Sequence, residues 1–275
     1  MSKTILITGC SSGLGYDAAH GLAARGWRVF ATCRKAQDCE RLRSEGLESF
    51  QLDYASSESI NVAVAEVLSR TGGTLDALYN NGAFAMPGAV EDLPREGLRE
   101  IYETNLFGVH ELTCKIIPVM RAQGHGRIIN CSSVLGLVPM RWRGAYSSTK
   151  FALEGLTDTL RIEMRDTPLH IITVEPGPIT SDIRKNSIPP FERYVDWKAS
   201  PRRAQYEESL LARLYEARGP DRFELPASAV TKKLVHALES ARPKPRYFVT
   251  TPTYLMAAAR RLLPTRVLDW LIAKG

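Results

Sequence analysis

Thr4-Ile5-Leu6-Ile7-Thr8-Gly9-Cys10-Ser11-Ser12-Gly13-Leu14-Gly15 decides the fold, and it stands close to the first residue of the 275-residue chain. Thr4–Thr8 is a short β-branched, apolar run, the pattern of a buried strand. Leu14, Ala18 and Leu22 then recur every four residues, the pattern of a helix. Between them, three glycines in GxxxGxG spacing let the backbone turn tightly and approach a pyrophosphate. The helix start supplies free N–H groups and a positive dipole end for such an anion. A tight strand–helix joint would use glycines too, so the position at the first strand–helix turn carries the argument. No Lys-Ser/Thr pair follows the last glycine, which disfavours a P-loop nucleotidase.

Working outward, the same alternation continues. Strands are expected at Arg28–Thr32, Ser49–Leu52, Ala77–Tyr79, Arg127–Cys131, Ile171–Val174 and Tyr247–Val249. They are nearly all apolar, as strands buried on both faces are. Helical patterns lie between them: Ile60 to Leu68, a long stretch over Leu98–Met120, and another over Tyr146–Met164. The expectation is an α/β fold: a doubly wound parallel sheet (Rossmann fold) with helices on both faces, forming a single domain over 1–275. Rhythm is lost after Pro176. Residues 183–225 read as a substrate-lid insertion, with one amphipathic helix at Arg203–Ala217, and 251–275 reads as a C-terminal helical extension divided by Pro264. The extension is expected to pack on the core or on a second subunit, with a peripheral membrane contact as the alternative.

Composition excludes several classes. Hydrophobic residues make up 44% and charged residues 24%, ordinary globular usage, which argues against disordered, collagenous or disulfide-stapled chains. The five cysteines are odd in number and form no CxxC pair, so neither a disulfide framework nor a zinc knuckle is expected. Reduced cysteines, with no leader-like or membrane-spanning run, point to the cytoplasm. The five histidines show no metal-ligand spacing. The net charge is +6, and residues 201–275 alone carry +7 (14 Lys/Arg against 7 Asp/Glu). That excess is either a solvated face or a surface that steers an anion or a membrane. No motif for nucleic acid accompanies it.

The second strand leads into Cys33-Arg34-Lys35. A carboxylate at the Cys33 position would accept ribose hydroxyls and mark NAD. Its absence, with Arg34 and Lys35 able to hold a 2′-phosphate and Ser12 to add a hydroxyl, favours NADP(H) over NAD(H). Farther on, Tyr146 and Lys150 are four apart at a helix start and share a face. The ammonium is expected to lower the phenol pKa, so that Tyr146 can pass a proton to or from a carbonyl oxygen. Ser133, at a strand end 13 residues earlier, can share that oxygen. Asn105 lies inside an apolar helical stretch. It either satisfies local backbone or anchors a water that links Lys150 to solvent.

This order resembles the short-chain dehydrogenase/reductase superfamily. It comprises TGxxxGxG, Asp53 after the third strand, Asn80-Asn81-Gly82-Ala83 after the fourth, Asn105, Ser133, Tyr146-xxx-Lys150, and Pro176-Gly177 after the sixth. The likeness covers about residues 3–182. It implies a catalytic trio of Ser133, Tyr146 and Lys150, with Asn105 completing a proton relay. It implies a cofactor held by Gly9, Ser11, Ser12, Gly13, Leu14, Arg34, Asp53, Tyr54, Asn81, Gly82 and Ala83, and by Tyr146, Lys150, Pro176, Gly177, Ile179 and Ser181. Two departures stand out: Gly82-Ala83 inverts the family's usual Ala-Gly, and Ser181 replaces a threonine. Ala31-Thr32-Cys33-Arg34 and Glu175-Pro176-Gly177-Pro178 resemble the subgroup of NADP-dependent 17-beta-hydroxysteroid and retinol dehydrogenases and bacterial relatives.

The implied partner is a small lipophilic ketone or aldehyde, of steroid, retinoid or aliphatic type. The implied assembly is a homodimer or homotetramer built through the Asn105 and Tyr146 helices. Phe84, Met86, Leu135, Met140 and Trp142, with Val138, are expected to line the substrate pocket beside Ser133. Arg141 and Arg143 either meet an acidic group on the substrate or are solvated. Two rival functions are a reductase of carrier-bound 3-oxoacyl groups and a non-catalytic NADP-binding redox sensor.

Overall fold

Each apolar run read as a strand pairs into one sheet in the computed structural model, which describes residues 2–216 and 219–274. The strands are β1 (Thr4–Ile7), β2 (Arg28–Cys33), β3 (Glu48–Gln51), β4 (Ala77–Asn80), β5 (Gly126–Cys131), β6 (Leu169–Glu175) and β7 (Arg246–Phe248). Their order is β3-β2-β1-β4-β5-β6-β7, every pair parallel. The order reverses between β1 and β4, where the strand ends splay crossovers to opposite faces and leave a crevice.

Helices α1 (Gly13–Ala23) and α2 (Ala36–Ser44) follow β1 and β2. Helix α3 (Ser57–Thr71) starts with Ser56 Oγ accepting from the Ser59 N–H at 3.2 Å and stops at Gly72 in the left-handed region (φ +66°). Alternate strand residues serve two cores. Ile5 and Ile7 join Leu22, Ala18 and Leu234 on one face, while Leu6 joins Ile60, Leu112 and Leu153 on the other. This is why the strands read as unbroken apolar runs.

Three expectations of length are corrected. Strand β6 runs Leu169–Glu175, beyond Ile171–Val174, because Glu175 is fully buried against a cation and does not end the strand. The stretch Leu98–Met120 is two helices, α4 (Arg95–Tyr102) and α5 (Gly108–Gln123), joined by a widened π turn at Glu103–Phe107. The segment Arg203–Ala217 is α9 (Arg203–Gln205), a π turn (Tyr206–Leu210) and α10 (Leu211–Tyr215); its predicted end, Ala217, lies outside the described residues. Tyr206 pins this π turn, donating to Asp92 Oδ2 and accepting from the Ala89 N–H, both at 2.7 Å.

Helix α6 (Gly144–Glu163) precedes β6, and α7 (Ile183–Asn186) and α8 (Ile188–Tyr194) follow it. Phe191, Tyr206, Leu210 and Leu214 form a small separate core with Ala89 and Val195. Helix α11 (Ser228–Glu239) packs on α1, and the chain closes with α12 (Thr251–Leu262) and α13 (Thr265–Lys274) on either side of Pro264. The extension packs only in part: Leu268 is 2% exposed, but Leu255, Leu262 and Trp270 are more than half exposed. Gly275, the last residue of that extension, lies outside the described residues. Among the described residues no helix is long and apolar enough to cross a membrane.

Candidate active site

A cleft of about 1320 Å³ opens at the carboxyl ends of β1, β4 and β5. Its floor at one end is the glycine loop. Gly9 is in the left-handed region (φ +69°), and a Cβ there would lie 2.6 Å from Gly82 Cα, so no other residue fits. The loop is clamped from the side. Asn81 Nδ2 donates to the Thr8 and Gly9 carbonyls at 3.0 and 3.2 Å, and Thr8 Oγ1 accepts from the Asn81 and Gly82 N–H groups, both at 3.0 Å. Ser12 stands before α1 and makes no capping bond, which leaves the first-turn N–H groups facing the cleft. A tight glycine cradle under an uncapped helix start fits a dinucleotide pyrophosphate.

The inverted Gly82-Ala83 has a physical reason. A Cβ on Gly82 would meet the Tyr54 ring at 3.0 Å. Tyr54 is buried, hydrogen-bonded to Thr8 Oγ1 at 2.8 Å and to Asn80 Oδ1 at 2.7 Å, and its ring takes the space an alanine would use.

At the end of β2, Cys33 is buried, and burial pushes its thiol up to about 12. Arg34 is exposed and, among the described residues, its side chain has no hydrogen bond or ion pair. A second cation, absent from the sequence reading, reaches the same place. Arg41 on α2 donates to the Ser11 carbonyl at 2.6 Å and lies over the Tyr16 ring. Its seven-residue separation from Arg34 hid it; only the path of α2 back over the loop brings it there.

The trio assembles. Ser133 Oγ accepts from the Leu135 N–H at 3.1 Å and stands beside the Tyr146 phenol, both lining the cleft. Tyr146 and Lys150 are both buried at the start of α6, and Lys150 Nζ donates to the Cys131 carbonyl at 2.7 Å. The expected electrostatics are corrected. Burial pushes the Tyr146 phenol up, against the pull of Ser133 and Arg143, and burial likewise pulls the Lys150 ammonium down. The reason is that desolvation of both groups outweighs their attraction, while the ammonium is engaged by a carbonyl.

Asn105 resolves toward local backbone. Its Oδ1 accepts from the Phe84 N–H at 3.0 Å, and its Nδ2 donates to the Phe84 carbonyl at 2.8 Å and to Thr149 Oγ1 at 3.3 Å. Its amide therefore does not touch Lys150.

Of the expected pocket residues, Leu135, Val138 and Met140 line the cleft, as do Pro176, Gly177, Ile179 and Ser181. Phe84 and Met86 do not. Met86 is fully buried, and both belong to the core beside Ile101 and Ala145. Trp142 is also elsewhere: with φ +65° it turns onto Tyr206, ring centroids 4.6 Å apart. Asp53, Tyr54 and Arg34 lie outside the cleft walls, Asp53 Oδ1 accepting from the Ala55 N–H at 3.0 Å. Wall residues that the sequence reading missed are Pro252, Met256, Leu271 and Ile272 from α12 and α13; Arg143, weighed there as a contact for an acidic substrate group, lines the cleft, and so do Arg184 and Arg213 of the 183–225 insertion.

Beneath the trio lies an ionic cluster. Arg246 pairs with Glu154 at 2.6 Å, Glu175 at 2.8 Å and Asp158 at 2.5 Å. Burial and neighbouring Glu154 push the Glu175 carboxyl up to about 7. A carboxyl raised in the folded state holds its proton there while the unfolded chain releases it, so its contribution to stability is lost as pH rises from about 4.5 through about 7. In Glu175→Gln, the fall in unfolding free energy between pH 5 and pH 8 shrinks by on the order of 2 kcal/mol, read by urea denaturation. An unchanged pH profile in the variant would show that Glu175 is not the titrating group.

The short chain dehydrogenase family matches residues 3–190. The chain is 38% identical to an uncharacterised oxidoreductase, YbbO, of Escherichia coli K12 over 269 residues, 98% of this chain and 93% of that one. It is 32% identical to human 17-beta-hydroxysteroid dehydrogenase type 6, over 99% of this chain and 88% of the relative. A solved short-chain dehydrogenase from Streptomyces avermitilis superposes with a TM-score of 0.79 at 26% identity, covering all of this chain and 94% of its own.

Proposed function

The chain belongs to the short-chain dehydrogenase family, an oxidoreductase acting on CH–OH groups, and we propose that it is an NADP(H)-dependent carbonyl reductase/alcohol dehydrogenase for lipophilic ketones or aldehydes. The observation that carries this reading is Ser133 lining one cleft with buried Tyr146 and Lys150, the glycine cradle forming another part of the same wall. A dinucleotide held by its pyrophosphate in the glycine cradle would supply a hydride to the carbonyl carbon, or accept one from the alcohol, through its nicotinamide. Ser133 and Tyr146 hold the substrate oxygen. In reduction, the Tyr146 hydroxyl gives its proton to that oxygen as the C–O double bond becomes single, and the alcohol leaves. A phenol kept protonated by burial suits the reductive direction at neutral pH. Lys150 is anchored on the Cys131 carbonyl, and there it would hold the nicotinamide ribose. A lid role for the 183–225 insertion is supported by its residues 183–188, 213–216 and 219–224, which line the cleft.

The NADP(H) preference is supported by Arg34, whose side chain is unpaired among the described residues, and by Arg41, which reaches the Ser11 carbonyl and also pairs with Glu45 at 3.2 Å. Titration of the purified protein is expected to give a Kd for NADPH at least about tenfold below that for NADH, with Arg34→Ala losing that preference and leaving NADH binding unchanged. Equal or tighter NADH binding would remove the NADP assignment. Exposed Phe107, Leu156 and Ile162, on the Asn105 turn and on α6, support assembly into a homodimer or tetramer.

A further inference from the structure

We infer that the substrate of this site carries an oxyanion as well as a lipophilic carbonyl, and that Arg143, Arg213 and Arg184 receive it. The inference rests on the carbonyl-reductase reading and concerns another part of the wall of the same cleft. Arg143 lies three residues before Tyr146 and lines the cleft with it. Among the described residues its guanidinium makes no hydrogen bond and no ion pair. Its neighbour Arg141, by contrast, is exposed, stacked on Trp142 and bonded to Gln205 at 2.8 Å. The two arginines flanking Trp142 thus have opposite fates, and only Arg143 faces the reacting groups.

Arg213 and Arg184 line the same wall and share one carboxylate, Asp221 Oδ2, at 3.1 and 3.0 Å. Arg213 Nε is buried without a partner. Glu224, the next carboxylate, is held by Thr180 Oγ1 at 2.7 Å and the Asp221 N–H at 2.8 Å. Three guanidiniums therefore share the Asp221 carboxylate, Arg184 and Arg213 by direct bonds and Arg143 through space only, while Glu224 is taken up by its own partners. Burial, then the charges of Arg213 and Arg184, bring the Arg143 guanidinium down to about 10. Crowded, desolvated like charges with open donors are costly unless an anion completes them. A planar guanidinium fork matches an oxyanion such as a carboxylate or a phosphate. Leu135, Met140, Met256 and Leu271 give the same cleft an apolar stretch that suits a hydrocarbon chain. Anionic head, carbonyl and hydrocarbon together describe an amphiphilic oxo acid or its phosphate counterpart.

The test uses the NADPH-loaded enzyme and medium-chain oxo acids, with the ketone at carbons 3 to 8, each paired with its methyl ester. For the best pair, the acid is expected to exceed the ester about 10- to 100-fold in kcat/KM, the effect of losing a charge-assisted hydrogen bond. Arg143→Gln and, separately, Arg213→Gln bring the acid-to-ester ratio close to one. Calorimetry gives a second readout that needs no turnover. Decanoate or decyl phosphate binds the NADP-loaded wild type and binds at least about tenfold more weakly to Arg143→Gln; whichever binds more tightly identifies the oxyanion. Esters reduced as well as their acids, with no binding of either anion, would overturn the inference and leave the reductase reading standing. If neither acids nor esters nor simple aldehydes are reduced, the reductase reading fails, and this inference fails with it.

Discussion

Tyr146→Phe is expected to lower kcat for carbonyl reduction by roughly 10²- to 10⁴-fold, the range for removing a positioned acid–base group. The NADPH Kd stays within about twofold of wild type, because Tyr146 stands at the Ser133 part of the cleft wall and not in the glycine cradle. The substitution removes one oxygen from a buried ring and leaves the packing against Ala85, Ile101 and Ala145 in place, so the variant folds. A steady-state assay with any accepted aldehyde, beside a fluorescence titration with NADPH, separates the outcomes. Retained turnover would remove Tyr146 from the chemistry. Lost cofactor affinity would mean that the ring serves binding instead.

Arg246→Ala is expected to have the largest effect on stability. The arginine side chain is 21% exposed and neutralises Glu154, Glu175 and Asp158, of which Glu175 has no exposure at all. Removing it leaves three carboxylates facing one another beneath β6 and α6. Losing one partner of a buried ion pair costs about 3–5 kcal/mol. At the scale of this chain that lowers Tm by about 10 °C. The deficit is smaller at pH 5 than at pH 8, because Glu175 and Glu154, whose pKa values burial already raises, can take up protons. A deficit independent of pH would assign the loss to packing of the arginine stem.

The parts of this molecule legible in its sequence are those where local chemistry is the whole story. Gly9 must turn left-handed, the strands must be apolar on both faces, and Tyr146 and Lys150 must share one helix face. The parts that were not legible depend on partners far along the chain. Phe84, Met86 and Trp142 are apolar in either location, and only the packing of α4 and of the Tyr206 turn shows that they serve cores instead of the cleft. Spacing placed Lys150 near Tyr146, yet it could not reveal that burial of both dominates their charges. Arg41 and Arg213 reach their places through helices whose paths no local pattern encodes.

The cleft is assembled from two stretches of chain with different obligations. Its glycine cradle and its trio all lie within residues 3–190, the span shared with the family. Much of the wall that meets the rest of the substrate, from Arg213 through Met256 to Ile272, lies beyond that span. Mutations in the later stretch can therefore reshape what is accepted without disturbing the proton donor or the cradle. Grafting the later stretch between relatives is the natural route to new selectivity on an unchanged catalytic frame.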